Sequence, residues 1–522
     1  MNRQLNRYSE YLVKTFQKEA GDAHEKNSSV NPIVSELSLW YEKMRNAIEY
    51  RDEEVVMRAS IQRMLKRRLL MGATGANVAV PLVRELIWAR YLPDDTVADE
   101  TTKTVADIID FYQELGKKIN LTKELKKKDV NSLIFELMSS EIEQHLNPND
   151  EEKVLGNYIY HILKDNVLAP EESEEDRDVQ VFIAIRKAYA KDDIAFLRFH
   201  LFVQYFGKLY GGNISKIADS FSEAYAKIEQ ELNYKGRNKV SAYIKKQIPP
   251  FLILEDILVN TTGDLNEALK NEEELKKLVF STSERKYSKI VGKVRRAIVR
   301  SVIFILLSKV FFAFSIEGTY ESLVYGQVQW LSIALNIIIP TLLMITVGIF
   351  IRTPNKDNSM RIYQRITTLL FDEEPKVGKA ITLLENPQTK KSFLNKFFNF
   401  LWGATFIVSF GAIIFILSKL HFNIVSMGIF AFFLAIVTFL AYRIRITARE
   451  YNVEDRQGLL TPLIDFFFMP FARIGRYLTE GISQINILIF IIDFAIETPF
   501  KVILEFFEKW FFFLHTKRED LG

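Results

Sequence analysis

The chain reads as an all-α membrane protein. A helical cytoplasmic domain leads into a four-helix transmembrane region, five if 481–500 also crosses, built of two tandem hairpins and followed by amphipathic C-terminal helices. Three observations predict this class. Charge is split along the 522 residues: 1–296 are rich in it, whereas 297–351 and 397–442 hold long runs with almost none. Those runs contain four segments near the roughly 20 apolar residues that a bilayer-spanning helix needs. Strand-like alternation is scarce, while helical periodicity recurs.

Residues 1–295 are expected to form the cytoplasmic domain, with a subdivision near the acidic stretch APEESEEDRD at 169–178. KIADSFSEAYAKIEQEL (216–232) sets Ile217, Phe221, Ala224, Ile228 and Leu232 on one helical face. Long aromatic-rich helical stretches are also expected at 78–92 and 179–211. Breaks fall at GATGAN (72–77), LPDD (92–95), NPNDEE (147–152), GGN (211–213), PP (249–250) and NTTGD (260–264). No repeat period emerges, so a bundle or irregular stacked pairs are expected. The first 20 residues have no apolar core between their charges and do not read as a secretory signal.

The four spans are 297–316, 328–351, 397–417 and 422–442, which gives hairpins at 296–352 and 397–446 joined by a linker at 353–396. The last three lack the polar stripe of a long soluble helix. Basic residues orient them. Lys286, Lys289, Lys293, Arg295, Arg296 and Arg300 precede the first span, and its exit loop EGTYESLVYGQ has two acids and no Lys or Arg. The 353–396 linker is again basic, the next turn offers only Lys419 and His421, and Arg443, Arg445 and Arg449 follow the last span. Both termini are therefore expected in the cytoplasm of an inner or plasma membrane. The cluster from Lys286 to Arg300 is the candidate contact for anionic lipid.

IFILLSKVFF (303–312) and IFILSKLHF (414–422) share a pattern, which suggests a duplicated hairpin. An intramembrane lysine is a functional candidate by default. Because Lys419 sits at the outer end of its span, Lys309 is expected to snorkel outward as its equivalent. A pathway or counter-ion role is the alternative. Pro340 lies one turn after Asn336 and frees its carbonyl, so both are candidates for a kinked polar membrane site.

Residues 459–515 read as amphipathic interfacial or re-entrant helices. Asp465-Phe466 and Asp493-Phe494 each lead to a Pro-Phe pair and a basic residue, and Thr461-Pro462 and Thr498-Pro499 each look like a helix start. On a wheel running from 482 to 514, Asn486, Asp493, Glu497, Lys501 and Glu508 fall within about 80° of one another. Asp465, Asp493, Glu497 and Lys501 thus join the candidate polar membrane site.

The chemistry is bounded by absences. There is no cysteine, the six histidines are scattered, and no phosphate loop, GxSxG or kinase signature occurs. A net charge of +3 is too small to imply nucleic acid. No cofactor, metal or enzymatic activity is expected. The expected function is a membrane-anchored scaffold or interaction protein with a protein partner or a second copy of itself. The alternative is a channel or transporter for an ion or small solute. Membrane lipids are partners in either case.

Overall fold

The structure is a computed structural model that describes residues 4–19, 34–39, 41–42, 56–69, 72–93, 99–120, 125–168, 174–261, 263–375, 378, 380–382, 393–453, 461–483 and 498–519. The expected all-α class holds. Contacts divide the chain into two units, with one boundary at Ile248–Pro249.

The helical unit comprises Asn6–Ile248, Glu373–Glu385 and Asn486–Gly522. Its helices are α1 (Arg7–Glu19), α2 (Val56–Leu69), α3 (Gly75–Trp88), α4 (Asp99–Lys118), α5 (Lys127–Leu146), α6 (Asp150–Leu163), α7 (Glu174–Ile185), α8 (Ile194–Phe206), α9 (Ile214–Leu232) and α10 (Arg237–Gln247). Two of the expected breaks, NPNDEE and GGN, work as caps, whereas Asp193 caps a new helix inside the stretch expected as one long helix at 179–211. Asn149, Asp193 and Asn213 each accept a backbone N–H three residues on, at 3.1, 2.9 and 3.2 Å, satisfying donors that a helix start leaves open. Apolar faces of α2, α3, α4, α5, α8 and α9 then meet a common core. Leu65, Leu82, Ile109, Leu137, Phe202 and Phe221 lie fully inside it. GATGAN supplies a close crossing: a Cβ on Gly75 would stand 2.2 Å from the Ala106 carbonyl oxygen of α4. Arg67 and Arg68 converge on the buried Glu85. His161 stacks on Tyr8 and His200 on Phe196, both as packing residues. Val167–Leu168 pairs in parallel with Ile381–Thr382, so a piece of the 353–396 linker belongs to this unit.

The membrane unit comprises Met1–Leu5, Pro249–Asp372 and Asn386–Ile485. It contains α11 (Pro249–Asn260), α12 (Leu265–Lys270), α13 (Glu272–Phe312), a π-turn at Ala313–Glu317, α14 (Gly318–Tyr325), α15 (Trp330–Phe350), α16 (Lys356–Phe371), α17 (Phe393–Lys419), α18 (Ile424–Ala448) and α19 (Thr461–Ser483). Four helices are long and apolar enough to cross a membrane: the run Glu272–Tyr325, α15, Lys396–Lys419 and α18. The first runs nine residues past the expected end at 316, because the helix continues through the π-turn to Tyr325. Helix α15 passes through the buried Pro340 without a break in the helical run.

The first hairpin packs on itself and also takes up α18 of the second. Helices α13, α15 and α18 pack on one another. In α18, 44% of the most apolar window is buried, against 17% in the third span, so α18 is the central element. Phe312, Phe432 and Phe433 interlock at the α13–α18 contact. The linker helix α16 buries Ile362, Ile366, Leu369 and Leu370. Its Asn358 donates to Tyr287 Oη on α13 at 2.8 Å and to the Tyr451 carbonyl at 2.7 Å.

Helix α19 lies along α18, where Gly475 allows backbone contact and Phe471 is fully buried against Phe410 of α17. The last helix, α20 (Thr498–Glu519), belongs to the helical unit. There Leu504 packs with Val34 and Trp88, and Phe500 stacks on Tyr41 at 4.8 Å. The two acid–Phe–Pro–Phe copies therefore serve different units.

Candidate functional site

The polar centre of the membrane unit forms where α13 is interrupted. In an unbroken α-helix at about 100° per residue, Glu317 would sit about 80° round from Lys309. The π-turn Ala313–Glu317 takes up about one residue and brings the two nearly into line. Lys309 Nζ donates to Asn336 Oδ1 of α15, and Asn336 Nδ2 donates to Glu317 Oε1 and to the Ser426 carbonyl, the latter at 3.2 Å. An amide suits this place because it offers oxygen to the ammonium and N–H to the carboxylate. The Lys309 ammonium also lies 4.4 Å from the Phe433 ring centroid, a cation–π contact in desolvated surroundings.

One turn along α14, Glu321 accepts from the Gln329 backbone N–H at 2.7 Å and from Asn423 Nδ2 at 2.6 Å. Asn423 Oδ1 in turn caps α18 by accepting the Ser426 N–H at 2.8 Å. Lys309 and Glu317 are each 1% exposed and Glu321, Asn336 and Ser426 are 0% exposed, whereas Asn423 is half-buried and Gln329 is exposed. Two further hydroxyls, Ser332 Oγ and Ser426 Oγ, are buried without a hydrogen-bond partner among the described residues. A pocket of about 380 Å³ opens beside the network, lined in part by Gly318, Ser322, Val328 and Ile333, which neighbour Glu317, Glu321, Gln329 and Ser332 in the chain.

The structure thus brings together Lys309 and Asn336 among the residues expected from sequence. It corrects the snorkelling of Lys309. Lys419 is exposed at the end of its helix, whereas the helix bearing Lys309 continues to Tyr325 and the ammonium turns inward to Asn336. Pro340 lies one turn beyond Asn336 and is buried. Asp465 lies elsewhere, half exposed and 3.6 Å from Arg445. Asp493, Glu497 and the side chain of Lys501 fall outside the described residues. In the basic cluster, Lys286 is paired with Asp256 at 2.6 Å, while Lys289, Lys293, Arg295, Arg296 and Arg300 are exposed.

Glu317 and Glu321 were read from the sequence as acids of an exit loop, and Asn423, Ser426 and Ser332 were not singled out. The available signal was the four-residue spacing of the two acids and their distance of two turns from Lys309. The π-turn that aligns them leaves no trace in the sequence.

The helical unit holds a second buried polar cluster. The π-turn Arg186–Ala190 ends at Lys191, whose φ of 57° reverses the chain and places Asp192 beside Arg186. Arg186 grips Asp192 at 2.7 and 3.0 Å and Glu152 at 2.8 Å, and Arg58 reaches Asp193 at 2.5 Å. Burial pushes the Asp192 carboxyl up to about 6, against the pull of Arg186, and lowers the His200 imidazole to about 3. Burial likewise pushes Glu143 up to about 8, and its Oε2 has no hydrogen-bond partner among the described residues. Among the described residues no three His, Asp or Glu side chains are placed to hold a metal ion together.

No known protein family, curated protein or solved structure matches the chain.

Proposed function

We propose that this protein moves an ion or small solute across an inner or plasma membrane, with both termini in the cytoplasm. One observation carries the reading: Lys309, Glu317 and Glu321 lie in the apolar membrane unit at no more than 1% exposure. Ionisable groups in such surroundings cost several kcal/mol each in desolvation, and apolar side chains of similar volume generally make a more stable anchor. The adjacent pocket supports access for a small solute. The test is flux into liposomes carrying the purified protein, read with ion-sensitive dyes. Wild-type protein is expected to support flux, and a Glu317→Gln, Glu321→Gln double variant that folds is expected to lose it. Absence of wild-type flux under ion gradients of either sign overturns the reading.

A specific observation also supports the membrane-anchored scaffold. Helix α20 leaves Val502, Ile503, Phe506, Trp510 and Phe513 exposed on the helical unit, an apolar area suited to a protein partner or a second copy. A photo-crosslinker at position 506 is expected to yield a discrete protein adduct if that surface is an interface. The exposed basic residues Lys289 to Arg300 support contact with anionic lipid, at about 1 kcal/mol each.

A further inference from the structure

The membrane network contains one cation and two carboxylates. Lys309 serves Glu317 through the Asn336 amide. Glu321 has only neutral donors among the described residues, the Gln329 N–H and the Asn423 amide. A fully buried carboxylate held by two neutral donors lacks one positive charge, and an uncompensated buried charge is strongly unfavourable.

A second, independent feature lies at the same place. Ser426 is tied into the network at both backbone ends, its N–H to Asn423 and its carbonyl to Asn336. Yet its hydroxyl, at 0% exposure, bonds nothing among the described residues. Ser332, one turn before Asn336 and 5% exposed, also has a hydroxyl without a partner. Buried hydroxyls ordinarily find partners. Ser426 connects to Glu321 through Asn423, and Ser332 lies one turn before Asn336, so both hydroxyls are oxygens open to a cation within the Glu321 network.

We infer that Glu321, with the Ser426 and Ser332 hydroxyls, binds one Na⁺ ion inside the membrane unit. All the donors are oxygens, which suits a hard cation over a soft one. The deficit is a single charge, so a divalent ion would leave an excess positive charge among apolar side chains. Lys309 then acts as a tethered counter-cation that neutralises Glu317 and leaves Glu321 for the exchangeable ion. This deepens the transport reading by naming the coupled or carried ion.

The test is thermal unfolding of the full-length protein in detergent, titrated with NaCl against choline chloride or KCl at constant ionic strength and pH. The midpoint is expected to rise saturably with Na⁺ alone. Ser426→Ala removes a hydroxyl that bonds nothing, so it should fold normally and weaken the apparent Na⁺ affinity by at least about tenfold, or about 1.4 kcal/mol. Glu321→Gln should abolish the Na⁺ response. Ser409→Ala removes another fully buried, partnerless hydroxyl on α17 and should leave the response intact. Equal midpoints in Na⁺, K⁺ and choline overturn the inference. So does a midpoint that follows pH but not Na⁺ and loses that dependence in Glu321→Gln, which would make a proton the occupant. Na⁺ binding without liposome flux supports the site and removes the transport reading, and flux indifferent to Na⁺ does the reverse.

Discussion

Lys309 shows how one residue's neighbours decide its role. Its ammonium is satisfied by one amide oxygen and an aromatic face, and that amide is in turn committed to Glu317. Removing the cation leaves a buried carboxylate uncompensated. Lys309→Met is therefore expected to destabilise the membrane unit by about 3–5 kcal/mol. Adding Glu317→Gln should recover much of the loss, since the remaining groups are then neutral. Thermal midpoints of the two variants in detergent check this, and a double variant no more stable than the single one would remove the coupling. Glu143 governs a different response. Its folded value of about 8 lies above its ordinary 4.5, so the folded state holds a proton that the unfolded state releases. Stability from this group is full below about 4.5 and is lost as pH rises through 8. Asp192, raised to about 6, acts in the same direction below that pH. His200, lowered to about 3 from 6.5, acts oppositely and only below 6.5. Between pH 6.5 and 8 Glu143 acts alone among the three. Hydrogen-exchange protection of α5 in the full-length protein should fall across that window, and Glu143→Gln should flatten it.

Between elements, the close approach of α19 to α18 depends on Gly475. A Cβ there would meet the Ala435 carbonyl oxygen at 2.1 Å and the Phe439 Cβ at 2.8 Å. Backbone cannot yield as a side-chain tip can. Gly475→Ala is expected to cost about 1–3 kcal/mol and to lower the thermal midpoint. Gly428→Ala in α18, with nothing within 4 Å of its added Cβ, should be neutral or slightly stabilising. Equal midpoints for the two variants would contradict the close packing. The elements themselves were largely legible. Long apolar runs announced the four spans, and the residues from Thr461 and from Thr498 onward are helical as expected. What those elements would touch was less so. Hydropathy reports that a helix is apolar but not which neighbour covers it, so the central place of α18 and the docking of α20 on Trp88 were not readable. The candidate site was half legible. Lys309 and Asn336 stand out as polar residues in apolar spans. Glu317 and Glu321 follow the apolar run and look like loop acids until a helix is seen to continue through them.

The connectivity of the helical unit constrains topology by parity. The chain leaves this unit after Ile248 and returns at 373–385, where Ile381–Thr382 pairs with Val167–Leu168. Two apolar helices lie in between, the run through Tyr325 and α15. It leaves again and returns with α20, whose Leu504 packs on Val34 and Trp88, and two more apolar helices lie in that interval. If all four helices cross, each excursion begins and ends on one side. A single further crossing within 481–500 would strand α20 on the side opposite its packing partners. Under the same condition the turns at Gly326 and His421 share one side, which the sparse basic residues there would make the outer one. The absence of native cysteine makes the test direct. Single cysteines introduced at positions 326 and 421 are expected to react with a membrane-impermeant maleimide applied to intact cells. Those at 380 and 515 should react only after the membrane is opened. Labelling at 515 without labelling at 380 would require an odd number of crossings between α18 and α20, and would be incompatible with the packing of Leu504 and Phe500 on the N-terminal helices.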